Sequence, residues 1–279
     1  MGLLVRFVRM VRTPRTVSVL AAALVLAACS SQTPSASSPA PSSSPQAPSA
    51  QPSPTVRLAG QNSCGELVAD GKPVHFGSEI TSDLYGRIFG TGRTGIVISH
   101  MNGGDVCQGT PYAKELAQAG YRTMVFDFAG FGVSTSAGAS HRQQVVSAAA
   151  ALRADGATRI VLIGGSMGAT ASLAAAPLLT PPPAAVVALS PPLTFIDDNA
   201  SAGAAKLTMP VFYAAGGIEP QYPDNIKQLD ALTPKGVPHV MMLGEGSTAH
   251  GLWLVDPATG VQPVRAAILD FLKKYAPAT

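Results

Sequence analysis

The chain has 279 residues, 46% hydrophobic and 13% charged, with a formal net charge of +3 at pH 7. Four arginines and no acids fall within the first 28 residues, so the remainder carries +3 − 4 = −1. A near-neutral body without a polybasic patch excludes binding by phosphate neutralisation, and no nucleic acid is expected among the partners.

Arg6, Arg9, Arg12 and Arg15 open the chain, Val17 to Ala28 is an apolar stretch too short to span a bilayer comfortably, and Leu26-Ala27-Ala28-Cys29 closes it. That tetrapeptide resembles a bacterial lipobox. The resemblance implies a lipoprotein signal peptide over residues 1–28, cleavage before Cys29, and acylation of its thiol. The protein would then sit lipid-anchored on the extracytoplasmic face of a cell membrane; an ordinary secretory signal with a coincidental cysteine is the alternative. Ser30 to Thr55 is almost entirely Ser, Pro, Ala and Gln, with no charge and no large apolar side chain, and such a composition cannot bury a core. As polyproline II its 26 residues reach up to roughly 80 Å, so residues 29–55 read as a lipidated tether. With Cys29 committed to lipid, Cys64 and Cys107 remain, and an even remainder in an exported chain predicts one disulfide; two separate buried thiols are the alternative.

Residues 56–279 have the length of one large α/β domain without internal repeats. Strands are expected at Pro73–Phe76, Leu84–Phe89, Gly95–Ser99, Arg122–Phe126, Arg159–Ile163, Ala184–Leu189, Pro210–Ala214 and Pro238–Leu243. Helices are expected at Tyr112–Ala119, His141–Arg153, Met167–Pro177, Pro223–Ala231 and Val264–Tyr275. The alternation implies a mostly parallel central sheet of about eight strands flanked by helices. Ligands bind such sheets beyond the carboxyl ends of the strands.

Gly164-Gly165-Ser166-Met167-Gly168 stands at one such end, between a β-branched run and an alanine-rich helix. Glycines two residues either side of a serine remove the side chains that would collide in a sharp strand-to-helix turn, and the turn holds Oγ toward substrate. The Met167 N–H, at a helix N-terminus, points where an oxyanion would form. A serine hydroxyl needs a general base and a carboxylate that orients the base. His75 and His239 fall in or beside strands, and His141 starts a helix. His250 lies beyond the last strand in a loop of small residues and is the expected base. Glu219, in the turn after Pro210–Ala214, is the first choice for the acid; Asp224 and the pair Asp197 and Asp198 are the alternatives.

The order Ser166, Glu219, His250 resembles that of the α/β-hydrolase fold family, and the likeness runs from about Lys72 onward. Asp127-Phe128-Ala129-Gly130-Phe131-Gly132-Val133-Ser134 is similar to the family's turn after its fourth strand, with Asp127 a turn-stabilising carboxylate. Many members carry His-Gly after the third strand, whereas this chain reads Ser99-His100-Met101-Asn102-Gly103-Gly104-Asp105. The resemblance implies that His100 packs beneath this loop and that the loop supplies the second oxyanion donor, Met101 first and Asn102 second. Cys107 sits on the same loop, so a bridge to Cys64 would brace it.

The expected protein is a membrane-anchored serine hydrolase acting on a small-molecule ester or related acyl substrate. No metal or organic cofactor is implied, since no cysteine or histidine cluster stands at ligand spacing. About twenty residues, Ser190 to Met209, leave room for a small cap at most, with Pro191–Ile196 as an apolar lip. The rival reading is a hydrolase-fold lipoprotein that binds an envelope partner without turnover.

Overall fold

The computed structural model describes residues 64–279 apart from 79, 80, 82, 136 and 137. The expected signal peptide, Cys29 and the tether therefore lie outside the described residues. Strands and helices alternate as β1 (Lys72–Phe76), β2 (Leu84–Phe89), β3 (Thr94–Ser99), α1 (Val106–Gln118), β4 (Arg122–Phe126), α2 (His141–Ala154), β5 (Arg159–Gly165) and α3 (Met167–Ala175). They continue as β6 (Ala185–Leu189), β7 (Thr194–Phe195), β8 (Asp198–Asn199), α4 (Ala200–Ala204), β9 (Val211–Gly216), α5 (Tyr222–Leu232), β10 (His239–Gly244) and α6 (Gln262–Tyr275).

Eight strands form one sheet in the order β1-β2-β4-β3-β5-β6-β9-β10. Only β2 runs against the direction of the other seven strands, and every pairing from β4 to β10 is parallel. Successive residues of a strand point to opposite faces, so a parallel sheet covered on both sides is apolar throughout. In β5, Ile160 and Leu162 pack into the layer containing α2, α3 and α5, while Val161 and Ile163 pack into the layer of α1 and α6. Register aligns the carboxyl ends: Ser99 pairs with Gly164 and Phe126, and Leu189 with Gly165. The residues immediately after those strands therefore meet at one edge.

Helix α1 begins six residues before the expected Tyr112, because its start is set by tertiary contacts. Asp105 caps it by accepting the Cys107 N–H at 2.9 Å, and the Asp127 carboxylate accepts the Val106 N–H at 2.7 Å. Pro111 lies inside the helix. Helix α3 gives way at Ala176 to a 3-10 turn that includes Pro177, whose missing N–H cannot continue the α-helical ladder. The Ser190 to Met209 segment holds the two-residue hairpin β7–β8 and the five-residue α4, a small cap. Buried Asp198 ties that hairpin to the start of α2 by accepting Arg142 N–H at 3.1 Å and Arg142 Nη1 at 2.8 Å. Cys64 and Cys107 are joined in a disulfide, which links the 3-10 turn Gly65–Val68 to the first turn of α1. Among the described residues no helix is long and apolar enough to cross a membrane.

Candidate active site

Ser166 follows β5 with φ 50° and ψ −117°, a positive-φ conformation that a side chain adopts only under constraint. Two close approaches impose it. A Cβ on Gly164 would lie 2.2 Å from Gly168 O, and one on Gly168 would lie 2.3 Å from Ser99 O. Strand, turn and helix can meet this tightly only with hydrogen at both positions. The turn is then locked by its own backbone: Ser166 N–H donates to Leu189 O at 2.8 Å, and Ser166 O accepts from Ala169 and Thr170 N–H. Met167 is the first residue of α3, and among the described residues no acceptor takes its N–H.

His250 lies in the segment between β10 and α6. A Cβ on the next residue, Gly251, would lie 2.6 Å from Met101 Sδ and 3.2 Å from Ser166 N, so the histidine loop runs against the serine turn. His250 Nδ1 is hydrogen-bonded to Glu219 Oε1, which makes it the donor and leaves Nε2 as the ring's acceptor. Glu219 is 5% exposed, and its Oε2 accepts from Ser190 Oγ at 2.7 Å and from Gly216 N–H at 3.0 Å. Three donors keep a buried carboxylate aimed at one imidazole nitrogen. The Tyr222 ring centroid lies 4.6 Å from that of His250, with the two rings tilted at 52°.

Ser190 was not foreseen. Held at φ 47° just after β6, its hydroxyl donates to Glu219 and accepts the Gly251 N–H at 3.0 Å, so it joins Glu219 to the histidine loop. Its only sequence signal is a serine directly after a buried strand, at the level where Ser166 and Glu219 also leave the sheet. The alternative acids are elsewhere: Asp224 is exposed and paired with Lys227 at 3.0 Å, Asp197 is exposed, and Asp198 is engaged by Arg142. His75 pairs with exposed Asp83, His239 bonds Val237 O, and His141 lies beside Asp198.

One expectation needs correction. The Met101 N–H, first choice for the second oxyanion donor, already donates to Gln108 Oε1 at 2.9 Å. The His100 carbonyl explains this, because its oxygen lies 2.6 Å from where a Gly168 Cβ would stand. In a trans peptide the following N–H points the opposite way, toward α1 and away from the serine turn. The next peptide is reversed in turn, since Met101 O accepts from His100 Nδ1 at 2.7 Å and from Gly104 N–H at 3.1 Å. Among the described residues the Asn102 N–H has no acceptor, which leaves Asn102, the second choice, as the available donor. Asp127 serves the turn: its two oxygens accept the Val106 and Val133 N–H groups.

His100 is buried just beyond the carboxyl ends of β3 and β4, with Phe128 and Phe131 edge-on at 5.0 and 5.2 Å. Nδ1 donates to Met101 O and Nε2 accepts the Phe128 N–H at 3.0 Å, so the ring is neutral. Burial, partly offset by the bond to Met101 O, lowers its pKa from 6.5 to about 4. The unfolded chain takes up this proton near pH 6.5 and the folded chain only near 4. Stability from the buried neutral ring is thus full above about pH 6.5 and is lost as the pH falls through about 4, a change on the order of 3 kcal/mol. Urea unfolding between pH 7 and pH 4 should show this loss, and His100→Gln should flatten it; an unchanged slope in the variant would assign the loss to other groups.

The strand order, the single antiparallel β2 and the strained serine turn between β5 and α3 define an α/β-hydrolase fold. A family model described as alpha/beta hydrolase fold matches residues 92–224, which include Ser166 and Glu219 and stop short of His250. An esterase from Pyrococcus furiosus aligns with TM-score 0.63 at 16% identity over 78% of this chain and 95% of its own. Esterase 2 of Thermogutta terrifontis aligns with TM-score 0.59 at 17% identity over 76% and 97%. A monoacylglycerol lipase from Paleococcus ferrophilus aligns with TM-score 0.56 at 18% identity over 69% and 99%. At these identities the likeness is one of fold. No curated protein matches the chain.

Proposed function

We propose that the protein is a serine ester hydrolase held by lipid on the extracytoplasmic side of a membrane. The observation that carries the catalytic part is the hydrogen bond from His250 to buried Glu219, on a loop packed against the strained turn of Ser166. In this reading Ser166 Oγ attacks the acyl carbon while its proton passes to His250 Nε2, and Glu219 stabilises the imidazolium. The Met167 and Asn102 N–H groups receive the oxyanion. His250 then protonates the leaving alcohol, and water releases the acyl group by the same steps. The esterase and lipase neighbours support ester chemistry, and the small cap favours short or exposed acyl groups.

A fluorophosphonate probe, which reacts only with an activated serine, tests this. Labelling of the wild type and none of Ser166→Ala is the expected pattern. An unlabelled wild type, folded and monodisperse, would favour the rival reading of a binding module.

The anchor rests on the lipobox-like Leu26-Ala27-Ala28-Cys29 behind a basic and an apolar segment. Acyl chains contribute about 0.8 kcal/mol per buried methylene, so a diacylated cysteine holds a protein at the membrane. Metabolic labelling with a fatty-acid analogue should mark the wild type, and Cys29→Ala should lose both the label and membrane retention. Equal labelling of the two would refute the assignment.

A further inference from the structure

We propose that Gln108 is a positioning residue for the oxyanion site, acting through the Met101 N–H to present the Asn102 N–H to the acyl oxygen. The inference rests on the hydrolase reading above and concerns a residue that makes no part of the Ser166, His250 and Glu219 constellation. Three observations carry it.

The first is the alternation of peptide planes after β3. The 100–101 peptide has its carbonyl against the serine turn at Gly168 and its N–H on Gln108 Oε1, while the 101–102 peptide has its carbonyl on the His100 ring. The Asn102 N–H faces away from that ring only while both planes hold. His100 fixes one of them and Gln108 fixes the other. The second is the seat of the carboxamide. A Cβ on Gly104 would lie 2.1 Å from Gln108 Cδ and 2.2 Å from Oε1, so the glycine after Gly103 keeps open the space this side chain fills. The third is its root. Gln108 stands in the first turn of α1, where Asp105 caps the helix, Asp127 takes the Val106 N–H, and Cys107 is bonded to Cys64. A long side chain on so firmly held a backbone places its oxygen reproducibly. Its neutral carboxamide also accepts a hydrogen bond without bringing a negative charge beside a developing oxyanion.

Gln108→Leu keeps bulk and removes the acceptor, and Gly104→Ala displaces the carboxamide while leaving glutamine in place. Each should lower kcat on a p-nitrophenyl ester by about 10- to 100-fold with KM changed less than about threefold, below the loss for deleting a donor outright because the Asn102 N–H remains. Inhibition by a phenylboronic acid, which forms a tetrahedral anion on the serine, should weaken by a similar factor. The double variant should lose no more than the worse single one, since both act through one N–H. Gln118→Leu, the same change at the exposed far end of α1, should leave kcat as it is.

Amide exchange at Met101 supplies a readout independent of turnover, with protection in the wild type that disappears in Gln108→Leu. Wild-type kcat in Gln108→Leu, a KM rise that matches the kcat loss, or unchanged Met101 protection would each overturn the proposal. Fluorophosphonate labelling separates it from the reading beneath it: loss of kcat with Ser166 still labelled in the variants implicates the oxyanion loop, whereas an unlabelled wild type removes the hydrolase reading and the proposal with it.

Discussion

Ser166→Ala and His250→Ala are each expected to reduce ester turnover by about 10⁴- to 10⁶-fold while leaving the fold intact, because nucleophile and base act as one unit and either loss abolishes the same step. Glu219→Gln should cost about 10³- to 10⁴-fold. The new amide would donate to His250 Nδ1 instead of accepting from it, which puts the ring's proton on Nε2 and removes the base. Its oxygen can still accept from Ser190 and Gly216, so this variant separates tautomer control from packing. Ser190→Ala removes one of the two donors to Glu219 Oε2 and also orphans the Gly251 N–H, and should cost about tenfold. Asp224→Asn and Asp198→Asn should retain near-wild-type turnover, since neither carboxylate touches His250. Steady-state rates on a chromogenic ester decide this, with circular dichroism to check folding. Near-wild-type turnover in Glu219→Gln together with loss in either aspartate variant would make the acid assignment wrong.

How far the sequence reveals this arrangement follows from the range of the interactions involved. The strand expectations fall within two residues of β1 to β6, β9 and β10, because β-branched runs between turn residues are local signals and a doubly covered parallel sheet leaves little room for variation. The serine turn is equally legible, since strand, turn and helix follow one another directly in the chain and Gly164 is required by Gly168 four residues on, although Gly168 itself is required by the distant Ser99. What was missed depends on closure in three dimensions. Helix α1 starts where Asp127, 21 residues from Val106, captures its first N–H. Ser190 acquires its role only once β6 lies between β5 and β9. The preference for Met101 failed at a peptide plane, whose direction is set by the approach of Gly168 and by a glutamine on the next helix.

Breaking the Cys64–Cys107 bridge is expected to lower both stability and turnover, and the two losses have separable origins. With the cysteines 43 positions apart in sequence, the chain-entropy treatment gives about 4 kcal/mol. In a domain of this size that corresponds to roughly 8 to 16 °C in melting temperature. The effect on turnover comes from position. Cys107 lies beside Gln108 in the turn that receives the oxyanion loop, and the bridge is one of three restraints there with Asp105 and Asp127. Releasing it loosens the platform that sets the Asn102 N–H, and an oxyanion donor loses much of its effect when displaced by a fraction of an ångström. Cys64→Ser is the cleaner variant, because it leaves every residue of the oxyanion loop in place. A fall in kcat that exceeds any rise in KM, measured well below the variant's melting temperature, is the signature of this coupling. Mass spectrometry of non-reduced protein recovered from its native compartment comes first: two free thiols would remove the premise. An intact bridge whose loss lowers the melting temperature and leaves kcat unchanged would confine it to holding the fold.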